Sequence, residues 1–281
     1  MTITAQMVME LRKRTGVGMS KCKDALTEAA GDMDEAIHIL RKKGMASAVK
    51  KGGRETNEGV VGISENDEMA YLVEVNVETD FVLQNDRFKE FLKNICDDTL
   101  KTKPKSAEDF IQQKYSQNAA LTIDEYRAET VHSLGENIQI KRILNFKKSA
   151  DSSLGLYSHM GGKIVCAVVI KGAGNVDSLA RDVAMHVAAE APDFLKPDEI
   201  SADTLAKEEE IARSQIQNKP PEIMDKIIQG KLKAFYVQSC LLNQKFVKEP
   251  SMNVADYVAQ EGKKAGKTLE VVEFVRWQIG E

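Results

Sequence analysis

The residues of this chain best suited to covalent or metal chemistry are four histidines and four cysteines, and their spacing supports neither. His38, His132, His159 and His186 fall in separate segments, and none has a cysteine or carboxylate partner at metal-ligand spacing. His186 lies inside a helical pattern, Ala184-Met185-His186-Val187, and reads as a packed or surface residue. His159 sits where a hairpin turns, with its side chain facing outward. Cys22, Cys96, Cys166 and Cys240 are far apart, with no CxxC pair. They read as reduced, mostly buried thiols of a cytoplasmic compartment, not as a disulfide frame or zinc site. No phosphate loop of the GxxxxGKS type occurs, and no GxGxxG opens a helix after a strand; Gly161-Gly162-Lys163 reads as a hairpin turn. No Ser/His/Asp or Cys/His arrangement assembles. The residues therefore point to binding: no covalent catalysis, no cofactor and no metal site are expected.

The stretch that could carry binding is Glu74-Val75-Asn76-Val77-Glu78-Thr79-Asp80-Phe81-Val82. Met69, Tyr71, Val73, Val75 and Val77 alternate, which predicts a strand with one apolar face. The pattern breaks at Glu78-Thr79-Asp80, residues of a turn or helix cap, and a large apolar pair follows at once. An aromatic beside a carboxylate at a strand end is either a core residue tucked under the turn or an exposed wedge for a partner. The residue types alone leave both open.

Composition bounds the rest. A chain of 281 residues allows about two domains. With 42% hydrophobic and 29% charged residues it reads as a folded globular protein rather than a disordered one. A net charge of −4 argues against a protein that binds nucleic acid as a whole. No apolar run approaches the ~18 residues of a membrane span, so no membrane association is expected. The start, Met1-Thr2-Ile3-Thr4-Ala5-Gln6, lacks the charged-then-apolar plan of a signal peptide.

These elements predict an α+β fold. Residues 1–54 read as an N-terminal three-helix (UBA-like) docking module and a basic linker. Thr4 caps the first helix, which carries Val8 and Leu11 inward; Gly16-Val17-Gly18 is a tight turn. Met19, Cys22, Ala25, Leu26 and Ala29 form the inner stripe of the second, and Gly31 suits its C-terminal side. Asp32 and Glu35 form a capping-box pair for the third, above Met33, Ala36, Ile37 and Leu40. Residues 41–54, basic and glycine-punctuated, read as a solvated linker whose charge could steer an acidic partner. Residues 55–148 read as a first subdomain: a hairpin turning at Asn66-Asp67, a helix bearing Phe88, Phe91, Leu92 and Ile95, a polar loop with a short helix, a helix from the Thr122/Glu125 capping box to Leu134, a stop at Gly135, and a strand with Ile138, Ile140, Ile143 and Leu144. Residues 149–281 repeat the order: a hairpin across Met160-Gly161-Gly162, a helix capped by Asn175, and a closing strand over 269–277. Both are predicted as small antiparallel sheets with helices on one face. The second carries an inserted helical hairpin over about 203–242. Leu205, Ala212 and Ile216 line its first helix, Lys219-Pro220-Pro221 makes the break, and Met224, Ile228, Leu232 and Phe235 line the second. Such a hairpin packs on its own domain or projects as an arm; a projecting one would expose apolar surface and so call for a partner, a second copy of the chain included.

Leu11-Arg12-Lys13-Arg14-Thr15-Gly16-Val17-Gly18-Met19, continuing to Cys22-Lys23-Asp24-Ala25-Leu26, and the stretch Glu74 to Val82 resemble the two long motifs of the translation elongation factor Ts family. Gly135-Glu136-Asn137-Ile138, Met185-His186-Val187-Ala188-Ala189 and Phe246-Val247 are also similar to family positions, so the likeness spans essentially the whole chain. Leu83-Gln84 departs from it, since a small and then a basic residue are usual there. The chain stops at Glu281, and contacts made by a C-terminal helical module of some members are expected to be absent. The resemblance implies a guanine-nucleotide exchange factor for elongation factor Tu in translation elongation. It implies that Asp80 and Phe81, flanked by Thr79 and Val82, intrude between helices beside the partner's magnesium site. By the same resemblance, Leu134, Gly135 and His159 are supporting contacts, and Arg12, Met19 and Ser20 are docking contacts of the helical module.

Two further classes compete with that implication. A non-exchanging interaction module, a UBA-like peptide or ubiquitin-type binder on a dimeric scaffold, accounts for residues 1–44 but gives no reason for an apolar wedge after a strand. An enzyme using Cys22 or His159 lacks a partner group at workable spacing.

Overall fold

The computed structural model describes residues 3–215 and 220–281, and the chain divides into two compact units, Met1–Lys147 with Ile279–Glu281, and Lys148–Gln278. The first unit opens with helices α1 (Ala5–Thr15), α2 (Met19–Glu28) and α3 (Met33–Lys51). Thr4 caps α1 by accepting the Met7 N–H at 3.2 Å. Gly16 ends it with φ of 64°, the left-handed conformation that glycine adopts without Cβ strain. Leu11, Cys22, Ala25, Leu26, Ala36 and Leu40 are buried in the centre of this bundle. Met19, expected on the inner stripe, is 38% exposed instead. Asp32 accepts the Glu35 N–H at 2.8 Å, but its own N–H goes to the Ala29 carbonyl at 2.9 Å, so only half of the expected capping box forms.

Residues 41–51, expected as a linker, are the second half of α3. The glycine there, Gly44, is buried where the helix lies against the segment containing Ala128 and His132, and a Cβ on it would approach the Ala128 carbonyl to 3.5 Å. Ala48 and Met45 belong to the core of the sheet below. Tertiary burial of that face thus overrides the local signal of lysines and a glycine.

That sheet has the order β1-β2-β3, all antiparallel, from β1 (Glu58–Glu65), β2 (Met69–Val77) and β3 (Ile138–Lys147). Asn66 makes the β1–β2 turn, its side-chain oxygen accepting the N–H groups of Glu68 and Met69, both at 2.9 Å. Strand β2 was expected to bury one face, yet Ala70–Val77 are all buried. Glu74, fully buried, meets Arg142 Nε at 2.5 Å and Lys141 Nζ at 3.3 Å, which supplies the pairing a buried carboxylate requires. Helices α4 (Asp86–Thr102), α5 (Ala107–Gln112) and α6 (Ile123–Leu134) pack around Phe88, Phe91, Ile95, Phe110, Ile123 and Val131. The Thr122/Glu125 capping box is complete, and Gly135 stops α6 with φ of 87°.

The second unit has the same plan. Its sheet runs β4-β5-β8, from β4 (Ser152–His159), β5 (Ile164–Lys171) and β8 (Glu270–Gln278), with α7 (Asp177–Glu190) packed on it. Each sheet also has one register shift between its middle and last strands, at Glu74/Val75 and at Val169/Ile170. Helix α7 begins one residue later than expected: Val176, not Asn175, is the N-cap, no side chain caps the helix, and the Val176 N–H is taken by Ser153 Oγ at 2.8 Å. The helical insertion is α8 (Ala202–Ser214) and α9 (Pro221–Ser239), with Pro221 in its first turn; the expected lining residue Ile216 and the Lys219 part of the break lie outside the described residues. A short hairpin, β6 (Lys245–Phe246) and β7 (Glu249–Asn253), and helix α10 (Val254–Lys264) complete the unit. Among the described residues no helix is long and apolar enough to cross a membrane.

Candidate partner-binding site

Strand β2 ends at Val77, whose ladder partner is Ile138, and both side chains are fully buried. Beyond that pair the chain leaves the sheet through Glu78 and Thr79 and enters a 3-10 turn over Asp80–Gln84. Such a turn advances about 120° per residue, so consecutive side chains point in different directions. Asp80 is exposed, Phe81 is 84% exposed, and Val82, at 8%, is anchored in the core with Phe88 and Phe91. Asn85 then caps α4, accepting the Arg87 N–H at 2.9 Å. The Phe81 ring therefore stands in solvent on a five-residue turn whose two ends run into buried elements. Of the two readings that the residue types left open, the outward one is the one observed.

The polar residues beside the turn interlock with the start of β3. Thr79 donates twice to Glu136, its N–H to Oε2 at 3.0 Å and its hydroxyl to Oε1 at 2.7 Å. In return, Glu78 Oε1 accepts the Asn137 N–H at 2.6 Å. Arg54, just after α3, reaches both Glu78 oxygens at 3.3 Å, and the Asn137 side-chain amide donates to the Arg54 carbonyl at 3.0 Å. Leu134 is half-buried against the core and Gly135 is exposed, immediately before Glu136. Sequence reasoning did not assign Arg54, Glu78, Glu136 or Asn137 to the site. The available signal was the polar break after β2 together with an acidic residue just past the Gly135 stop.

Arg12, Met19 and Ser20 are exposed on the helical bundle, on either side of the Gly16–Gly18 turn. That turn is tied to the end of α6: Ser133 Oγ donates to the Gly16 carbonyl at 2.9 Å, and Lys21 Nζ to the His132 carbonyl at 3.1 Å. The Arg87 guanidinium donates to the Thr15 carbonyl and lies so close over Gly16 that a Cβ there would overlap it. The structure thus links the bundle's candidate residues, Leu134-Gly135 and the Thr79–Val82 turn within one unit. His159 belongs to the other unit. It is exposed at the end of β4, stacked on Tyr157 with ring centroids 6.0 Å apart, and followed by Met160, itself 69% exposed.

Several of the groups first considered for chemistry are packed in the interior. Cys22 is fully buried, donates to the Val17 carbonyl at 3.2 Å, and has its pKa raised by burial, the opposite of an activated thiol. Burial likewise pushes Cys96 and Cys166 up to about 12. His186 is fully buried and accepts the Val247 N–H on Nδ1 at 3.2 Å, which leaves Nε2 to carry the proton toward Gln244 Oε1 at 3.0 Å. It is a packed, neutral histidine, and burial lowers its pKa. His132 is buried too, with neither ring nitrogen hydrogen-bonded; burial, then the charges of Lys21, Lys51 and Lys43, push its pKa down to about 4.

The Phe81 ring is thus an exposed aromatic on a turn braced by hydrogen bonds. Residues 78–281 match the family described as Elongation factor TS. The chain is 53% identical over 279 residues to the elongation factor Ts of Protochlamydia amoebophila (strain UWE25), covering 99% of each chain. It is 45% identical over 270 residues to that of Chlamydia caviae and 42% identical to that of Chlamydia trachomatis serovar A, with 96% of each chain covered. With likeness of that extent along nearly its whole length, the chain belongs to the elongation factor Ts family, whose members serve translation elongation as nucleotide exchange factors.

Proposed function

We propose that this chain binds elongation factor Tu carrying GDP and speeds GDP release by inserting Asp80-Phe81 beside the magnesium site of the partner's G domain. The observation that carries the reading is the Phe81 ring, 84% exposed on a turn fixed at both ends. Exchange needs no reacting group, only tighter binding to the nucleotide-free partner than to the nucleotide-bound one. By linkage, the factor then weakens the nucleotide by the ratio in which the nucleotide weakens the factor. Magnesium requires near-octahedral geometry at about 2.0–2.1 Å, so a small displacement of its surroundings loosens it. Burying a phenylalanine is worth about 1.5–3 kcal/mol, enough to offset such a displacement, and a central aromatic anchor can dominate an interface. Asp80 orients the turn or meets a polar group beside the site, with Thr79 holding the start of the turn and Val82 anchoring its middle in the core.

Arg12, Met19 and Ser20 dock the helical bundle on the G domain, Leu134 and Gly135 support the wedge, and His159 contributes a contact from the second unit; all except half-buried Leu134 are exposed. The reaction takes place in the cytoplasm and involves no direct contact with nucleic acid or membrane. Ile211, Ile223 and Val237, each 46–49% exposed on the α8–α9 insertion, favour self-association through that hairpin. Sedimentation over a range of concentrations should show dimers that Ile223→Lys dissociates; a strict monomer at high concentration rejects it. The wedge is tested by stopped-flow release of labelled GDP from elongation factor Tu. Phe81→Ala should slow the stimulated rate by about tenfold or more while the variant remains folded. An unchanged rate in the folded variant disposes of the proposal.

A further inference from the structure

The hydrogen bonds around Thr79 do something the sheet does not require. The β2–β3 ladder is already closed by the buried Val77–Ile138 pair. The reciprocal carboxylate bonds lie beyond it, Glu78 gripping Asn137 one residue past the pair and Glu136 gripping Thr79 two residues past it. They act on the segment that carries Phe81. That segment needs bracing: a short 3-10 turn has weak hydrogen bonds of its own, and an exposed phenyl ring is biased by water toward any inward rotation that covers it. Thr79, the N-cap of the turn, makes no side-chain cap bond within it. Both of its donors go instead to the two oxygens of one carboxylate, which fixes its backbone and its β-branched side chain together.

We propose that Glu136 and Glu78 are the positioning residues of the wedge, and that their clamp on Thr79 and Asn137 holds the Phe81 ring in its outward pose before the partner arrives. Arg54 extends the brace. It pairs with Glu78, and its carbonyl accepts from Asn137, so the residue just beyond α3 is tied to the base of the wedge. A motion of the helical bundle on docking therefore has a hydrogen-bonded route to the Phe81 turn. This inference rests on the wedge reading above.

Because the helical bundle docks the factor whichever way the ring faces, a clamp that sets the fraction of bound factor with its ring presented acts on the limiting rate more than on half-saturation. GDP release is followed by stopped flow across factor concentrations for Thr79→Val, which keeps the N–H donor and loses the hydroxyl; Glu136→Gln, which keeps one acceptor; and Thr79→Ser, which keeps both donors. Thr79→Val and Glu136→Gln should lower the limiting rate about five- to tenfold, with half-saturating concentration changed by less than about twofold. Thr79→Ser should recover most of the limiting rate that Thr79→Val loses. In a Phe81→Ala background the same changes should have no further effect, because there is no ring left to present.

Two results overturn the clamp while sparing the wedge: limiting rates that stay at the wild-type level while Phe81→Ala slows release, or a change confined to half-saturation. An inert Phe81→Ala removes the wedge itself, and the clamp's role falls with it. Should Glu136→Gln fail to fold, Thr79→Val, which deletes one hydroxyl at a half-buried site, decides the question alone.

Discussion

Replacing Phe81 with alanine separates the two roles a large aromatic can have. In the free protein the ring is 84% exposed, so only about one sixth of the ~1.5–3 kcal/mol of a fully buried phenylalanine is at stake. Phe81→Ala should then cost about 0.2–0.5 kcal/mol, a melting shift of about 0.5–2 °C for a unit of this size. On the partner the same ring becomes buried, and losing ~1.5–3 kcal/mol there corresponds to release slowed about 10- to 150-fold. The neighbouring residue is the control. Val82 is 8% exposed within the core, so Val82→Ala should cost about 1–2 kcal/mol of stability. Its effect on release should be no more than loosening of the turn can produce. Thermal unfolding by circular dichroism and stopped-flow release of labelled GDP give the two axes. A Phe81→Ala variant destabilised by 1.5 kcal/mol or more, in the range of a packed phenylalanine, would show the ring covered in solution and refute the reasoning whatever the exchange rate does.

Two stability predictions follow from buried groups. The folded pKa of His132, about 4, lies below the ordinary value of 6.5. As pH falls below ~6.5 the unfolded chain takes up a proton that the folded chain refuses until about pH 4, so stability declines through that window, by about 2 kcal/mol between about pH 7 and 5. His132→Leu, which abandons no hydrogen bond of the ring, should remove that share of the pH dependence in urea unfolding; identical slopes for the two proteins would contradict it. At Gly155, on β4, a Cβ would lie 2.0 Å from the Ala180 carbonyl carbon and 2.1 Å from the Arg181 nitrogen, both backbone atoms of α7. Gly155→Ala should therefore cost about 3 kcal/mol or more, and a melting temperature within ~2 °C of wild type would show that α7 can shift freely.

Much of the fold was legible because local signals agreed with burial. Thr4, Asn66, Thr122 with Glu125, and Gly135 all sit where caps and turns demand them. The repeated order of strands and helices also emerged from periodicity, including a closing strand in each copy; its place beside the second strand is seen only in the fold. Two of the misreadings share a cause, that neighbours distant in sequence decided the outcome. Residues 41–51 read as a linker on their lysines and glycine, but Gly44, Met45 and Ala48 face buried surroundings and the helix continues. Asn175 was expected to cap α7, but Val176 takes the N-cap position and gives its N–H to Ser153, 23 positions earlier in the chain. Met19 has the spacing of a core residue and lies 38% exposed beside the Gly16–Gly18 turn.

The candidate site divides in the same way. Residue order alone specified a strand interrupted by Glu78-Thr79-Asp80 and followed by an aromatic, since alternation and its interruption are properties of adjacent residues. It did not say whether that aromatic faces in or out. The tertiary structure decided this, because only there does Glu136, 57 positions away, meet Thr79, while Val82 sinks into the core and leaves Phe81 in solvent. A side chain's direction at the end of a strand is set by what its flanking residues bond to, and those partners lie in segments that only folding brings alongside.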